Sequence, residues 1–307
     1  MKIVIWGHKL HSHTHSYIHY GYWRAADSLG HEVHWYDDSD DVSSVDFSNS
    51  VFITEHQVCE KMPLREDCKY FIHNSDEPFK FERREKYEGL TVYNFVHDAE
   101  YWHYGPDYVW PSVENIGGSF YEHPTKTIVT KWATDLLPDE IDDCPVELYD
   151  DSKENVFFVG SMQGENIKKF SEVIGTKGKN FVNVGGYSGK YSLYTGNPPN
   201  INQNIAMVRD SYISFDIREQ PFFNMGKYYP CRIFKSISYG KWCGSNMPAL
   251  KDLFGDYVTF DSNLDTLYDK IVEDYKSCTE EKMREAMNFI RDEHTYVNRL
   301  SDLLLLA

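Results

Sequence analysis

The chain has 307 residues, of which 41% are hydrophobic and 26% charged. This composition excludes a disordered polymer and leaves room for two domains of about 150 residues each. A formal charge of −17 disfavours a protein that wraps nucleic acid without sequence preference, but a phosphate pocket needs only a few local cations.

No run approaches the roughly 18 apolar residues of a membrane-crossing helix, so no membrane span is expected. The opening Met1-Lys2-Ile3-Val4-Ile5-Trp6-Gly7 reads as a strand and not as a signal peptide. Six cysteines without a CxxC pair read as reduced thiols. The expected location is cytoplasmic, or the host cytoplasm for a viral chain.

In chain order, Lys2–Trp6 is an apolar strand closed by Gly7. A histidine-rich loop, His8 to His15, leads into a helix over 17–29 stopped by Gly30. A second strand spans 31–36, and the acidic 37–41 run is its exit. This is a βαβ unit. Further strands are expected at 50–54, 69–73 and 91–97, with a charged helical stretch at 79–87. Such alternation predicts a doubly wound parallel sheet.

The pattern changes around 129–140, and the acidic 139–153 stretch is the expected linker. Beyond it, strands are expected at 155–159, 180–184, 212–217, 241–245 and 257–260. Helices are expected at 165–174, 202–210, 232–239, 264–275 and 280–306, the last broken near Glu293-His294. The domains are thus read as 1–135, 150–285, and a C-terminal helix 286–307 placed to pack back on the first.

The richest stretch runs from Phe215 to Asn246. A strand ends in a loop carrying Arg218, Gln220, Gly226, Lys227 and Tyr229, and Pro230 precedes a helix with Arg232 in its first turn. A helix start offers N–H groups and a positive dipole end to a diphosphate, and an arginine there adds a planar fork. Lys235, three residues on, shares that face.

The layout Tyr229-Pro230-x-Arg232-Ile233-Phe234-Lys235-x-x-Ser238-Tyr239-Gly240 resembles the C-terminal half of GT-B glycosyltransferases, including those of the family-4-like kind. It is also distantly similar to bacteriophage DNA glucosyltransferases. In those the helix arginine binds the nucleotide diphosphate and an acid binds the ribose. Arg232 matches the arginine, whereas Lys235 stands where the acid is expected. The resemblance implies donor contacts from Gly160, Ser161, Met162, Gly185, Arg218, Tyr229, Arg232, Ile233 and Lys235.

In the first half, the loop with His8, His11, His13 and His15 reads as an acceptor or cleft loop. Chelation of a metal by the alternating histidines is the other reading. Asp76, before Pro78-Phe79, resembles the catalytic aspartate of the phage enzymes and is the base candidate for an inverting reaction. His97 and Asp98 end an apolar run and resemble the strand-end His-Asp of retaining GT-B families.

The implied fold is α/β in a GT-B architecture, two Rossmann-like domains facing across a cleft. The implied function is transfer of a hexose, by default glucose, from a UDP-sugar to an acceptor hydroxyl, with a slight preference for retention. The UDP-sugar is a co-substrate, and neither cofactor nor metal is required. The acceptor stays open between a glycan, a small molecule and a modified nucleobase. The alternatives are a nucleotide- or sugar-binding protein without turnover and a His-metal-dependent hydrolase. The absence of GxGxxG after the first strand disfavours an NAD-dependent oxidoreductase.

Overall fold

The computed structural model describes residues 1–10, 15–56, 58–73, 86–97, 112–160, 164–184, 201–219 and 229–307. The chain divides into two compact units, Met1–Pro138 with Glu293–Ala307, and Asp139–Asp292. Both are mixed α/β.

Unit 1 is built on one eight-stranded sheet. Its strands are β1 (Lys2–Trp6), β2 (Glu32–Tyr36), β3 (Ser50–Glu55), β4 (Lys69–His73), β5 (Thr91–His97), β6 (Val113–Ile116), β7 (Ser119–Glu122) and β8 (Thr127–Thr130). Their order across the sheet is β2-β1-β3-β4-β5-β8-β7-β6. Strands β1 to β5 and β8 run parallel, whereas β7 is antiparallel to both β8 and β6.

Side chains alternate between faces along a strand. Ile3, Ile5, Val51, Ile53, Phe71 and Phe95 therefore join one core with helices α1 (Ser16–Ser28) and α9 (Tyr296–Leu304). In α1 the buried Ile18, Tyr22, Ala25 and Ala26 recur at helical spacing and supply its inner face. Gly21 lets α9 approach, because a Cβ there would lie 2.2 Å from the Tyr296 ring.

Val4, Trp6, Phe52, Tyr70 and Ile72 point the other way, against Phe47, Cys59 and Met62. The strand order keeps the reversal of a doubly wound sheet at β1 and β3, but the expected helical crossovers are not all present. The described crossover residues from β2 to β3 and from β3 to β4 contain no helix. Between β2 and β3 the cause is local: Asp37, Asp41 and Asp46 each accept from the backbone N–H two residues on, at 2.8, 3.1 and 2.9 Å. Such Asx turns compete with helix formation. The β6–β7 hairpin is a second departure. Ile116 pairs with Ser119 across the two-residue turn Gly117-Gly118, a sequence signal for a hairpin.

The last helix belongs to this unit. Thr295 and Asn298 form a capping box at its start. Arg299, fully buried, donates to the carbonyls of Lys131, Glu293 and Trp132 at 2.9, 2.9 and 3.2 Å. Asp302 accepts from Gly118 N–H at 3.2 Å and Ser119 Oγ at 2.5 Å, which fastens the hairpin turn to α9.

Unit 2 has five parallel strands in two ladders: β10 (Asn180–Val184) beside β9 (Asn155–Val159), and β11 (Ser214–Asp216), β12 (Cys243–Ser245) and β13 (Thr259–Phe260) in that order. Tyr212 N–H to the Asn155 carbonyl, 2.7 Å, and Phe157 N–H to Ser211 Oγ, 2.9 Å, join the ladders. The order is therefore β10-β9-β11-β12-β13.

Among the described residues the helices of this half are α2 (Pro138–Asp143), α3 (Glu165–Thr176), α4 (Ile201–Asp210), α5 (Cys231–Ser238), α6 (Pro248–Phe254), α7 (Leu264–Ser277) and α8 (Glu280–Glu293). Helices α3 and α7 share a core with Phe158 and Phe215. Helix α5 covers the opposite face, where Ser236 bonds Ser214 at 2.7 Å. Helix α6 has Pro248 at its start, a signal the sequence reading passed over.

The Arg299→Met variant removes three hydrogen bonds to backbone carbonyls while keeping an apolar stem. It is expected to lower the unfolding free energy by about 3 kcal/mol. Urea denaturation followed by tryptophan fluorescence checks this, and an unchanged midpoint would refute it.

Candidate functional site

In an open parallel sheet, ligands bind beyond the strand ends where consecutive connections leave in opposite directions. In unit 2 that point lies between β9 and β11. Asp216, the last residue of β11, is fully buried. It accepts from Arg218 Nε at 2.8 Å and Nη2 at 3.1 Å, and from Arg232 Nη1. Arg232 Nη2 donates to the Val159 carbonyl at 3.2 Å, and its guanidinium lies 4.2 Å from the Phe158 ring centre. Its Nε is buried and has no hydrogen-bond partner among the described residues.

Gly160 follows β9 with φ +145°, and a Cβ there would sit 2.5 Å from Arg232 Nη2. Only glycine meets both demands. The structure thus brings together Gly160, Arg218 and Arg232 around a carboxylate that the sequence reading did not single out. Asn246, just past β12, fixes the backbone of Arg218 from both sides, at 2.9 Å each.

The other residues of the helix motif have different surroundings. Ile233 is fully buried in the core and Tyr229 is buried. Lys235 lies in the last turn of α5, away from its N-terminal end. The N-cap of α5 is Pro230, which makes no side-chain cap. Helix α3 contrasts with it: Glu219 accepts from Asn166 N–H at 2.6 Å and so occupies the start of that helix.

In unit 1 the corresponding point lies between β1 and β3. Glu55, the last residue of β3, is 1% exposed. His15 Nδ1 is 3.1 Å from one carboxylate oxygen and His8 Nε2 is 3.3 Å from the other. The His8 approach lacks hydrogen-bond geometry. His56 Nδ1 is 3.8 Å away and donates instead to the His73 carbonyl. Burial raises the Glu55 carboxyl, but the His15 hydrogen bond and the His15 and His56 charges outweigh it and bring it to about 2.

Along the same strand ends, His97 Nδ1 lies 2.9 Å from His73 Nε2, and the His97 ring stacks on Trp132 at 3.9 Å. His97 is fully buried. Asp76, Asp98, His11, His13, Ser161, Met162 and Gly185 lie outside the described residues. Among the described residues, no group of three or more His, Cys, Asp or Glu is arranged to hold a metal ion.

Two further histidines of unit 1 are buried in neutral form. Burial lowers His19 to about 3 despite its contact with the His8 carbonyl. Burial, then the Arg299 charge, lowers His294 to about 2. Both values fall below those of the unfolded chain, so the unfolded chain takes up more protons below pH 6.5. Stability is complete above that pH and falls as the solution is acidified.

From pH 7.5 to 5.5 each of these histidines is expected to cost about 1.4 kcal/mol. Glu55 stays ionised throughout this window and adds no slope. Urea unfolding at the two pH values should show a smaller loss for His19→Gln than for the native chain. Equal losses would refute the assignment.

No family model matches the chain, and no curated protein matches it in sequence, so the geometry alone carries the functional reading.

Proposed function

We propose that the two units are the halves of a GT-B glycosyltransferase, unit 2 taking a nucleoside diphosphate sugar and unit 1 the acceptor. The observation that carries this reading is the pair of guanidiniums, Arg218 and Arg232, gathered on one buried carboxylate at the switch point of unit 2. Two cations on one anion leave a surplus positive charge. It lies beside the start of α5, where the helix dipole also favours an anion. A departing diphosphate needs this kind of fixed, pre-ordered positive field. Because the guanidiniums supply the charge, the reaction proceeds without a metal ion. UDP-glucose is the donor to try first.

The second reading is a nucleotide-binding protein without turnover. The hold that Asp216 and Val159 already have on Arg232 favours it.

Calorimetric titration with UDP-glucose, with and without chelator, tests the donor site. Arg218→Ala and Arg232→Ala are each expected to weaken binding about 10- to 100-fold, the worth of a charge-assisted hydrogen bond or two. Chelator is expected to change nothing. If neither UDP-glucose nor any other nucleotide sugar binds, or the variants bind as the native chain does, the transferase reading fails. Binding without release of UDP would leave the second reading standing.

A further inference from the structure

Unit 2, Asp139–Asp292, contains no histidine, so a response to pH near neutrality has to come from another group. Lys241, between α5 and β12, is fully buried. Its Nζ donates to the Ser211 carbonyl and, at 3.2 Å, to the Arg209 carbonyl. An ammonium carries three N–H donors. Among the described residues the third meets no oxygen, and the Tyr275 ring centre lies 5.0 Å from Nζ. A neutral amine has two N–H groups. It satisfies both carbonyls and leaves no donor over.

The groups facing Lys241 come from four elements. They are Lys153 ahead of β9, Arg209 and Asp210 at the end of α4, Glu147 in the segment 144–150, and the Tyr275 ring of α7. Two cations and two acids balance, so an ammonium among them adds an uncompensated charge in a place closed to water. Burial first, and then the Lys153 charge, bring Lys241 down to about 7.

The segment 144–150 is strapped down by the same neighbours. The Glu147 carboxylate accepts from Lys153 Nζ at 3.1 Å and from Arg209 Nη2. Its backbone N–H donates to the Gly240 carbonyl at 2.9 Å, and Tyr275 OH donates to its carbonyl at 2.8 Å. Arg209 also donates to the Pro145 carbonyl. Gly240, the residue before Lys241, has φ +78°, and a Cβ there would lie 2.4 Å from the Pro145 carbonyl oxygen. The groups that hold the strap are therefore those that decide the charge of Lys241.

We propose that Lys241 is a pH-sensitive latch of unit 2: the neutral amine keeps the segment 144–150 closed, and uptake of a proton loosens that segment and lets water reach the ammonium. The latch is independent of the transferase reading. Lys241 titrates lower when the strap is closed than it does in water, so the opened form binds more protons above pH 7. Closure is strongest above the ordinary lysine range and weakens as the pH falls towards 7.

Two measurements on the full chain test this. In ¹³C NMR the ε-methylene of Lys241 should titrate with a midpoint near 7 and below 9, and a midpoint at 9 or above would overturn the latch. Hydrogen exchange, divided by the intrinsic rate at each pH, reads the strap itself. Protection of the Glu147 N–H should be about 20-fold lower at pH 6.5 than at pH 8.5, the effect of one proton over this window. Lys241→Met should keep that protection level between the two pH values. Equal protection in the native chain, or the same drop in Lys241→Met, would overturn the proposal. Both readings of the native chain stand even where Lys241→Met does not fold, so either can refute it.

Discussion

A carboxylate buried at the end of a parallel strand must be met by cations or hydrogen-bond donors, because removing its charge from water otherwise costs several kcal/mol. This chain meets the requirement twice, at Glu55 and at Asp216, and much of the polar architecture follows from it. Each acid closes the third strand of its unit, beside the first strand. Each therefore lies where a loop from the first strand and a helix start come within reach. The acid and the groups that neutralise it are built from different parts of the sequence, so only the finished sheet brings them together.

The two solutions differ in kind. Around Asp216 the partners are guanidiniums, charged at every accessible pH, 25% and 21% exposed against 0% for the carboxylate. The anion is internal and the cations reach the surface, so the field that emerges is positive. Around Glu55 the partners are imidazoles, whose neutral rings carry both a donor and an acceptor nitrogen. One unit thereby gathers fixed cations at its switch point and the other imidazoles. Neither property follows from the overall composition, whose net charge of −17 points the opposite way at the first site.

Much of the frame is legible in sequence because a buried parallel strand must be a short apolar run. Lys2–Trp6, Lys69–His73 and Asn155–Val159 are of this kind, and each is followed by a change to polar or glycine residues. What the sequence obscures is whatever depends on neighbours. Between β2 and β3 the described residues carry turns in place of a helix because aspartates in Asp37–Asp46 bond their own backbone, a contest that composition does not decide. Arg232 is conspicuous beside a helix start, but Asp216 looks like one more acid, and its role appears only when β9 and β11 lie side by side. Glu55 was hidden in the same way: the neighbouring histidines attract notice, while the acid that organises them lies 40 residues from His15.

The same reasoning separates the starts of α3 and α5, the helices that follow β9 and β11 in unit 2. Dipole and free N–H groups favour an anion at either one. At α3 an anion is already in place: Glu219 accepts from Asn166 N–H, and Gly164, at φ +99°, makes room for it, since a Cβ there would lie 2.3 Å from the Glu219 carboxylate. A diphosphate at that start would have to expel a carboxylate or sit against it. At α5 the N-cap is a proline that makes no side-chain cap, and Arg232 stands in the first turn. Like charge closes the first position and opposite charge opens the second. Gly160 after β9 therefore contributes through the room it leaves for a guanidinium, and under the proposed reading the diphosphate belongs at the helix start at Cys231.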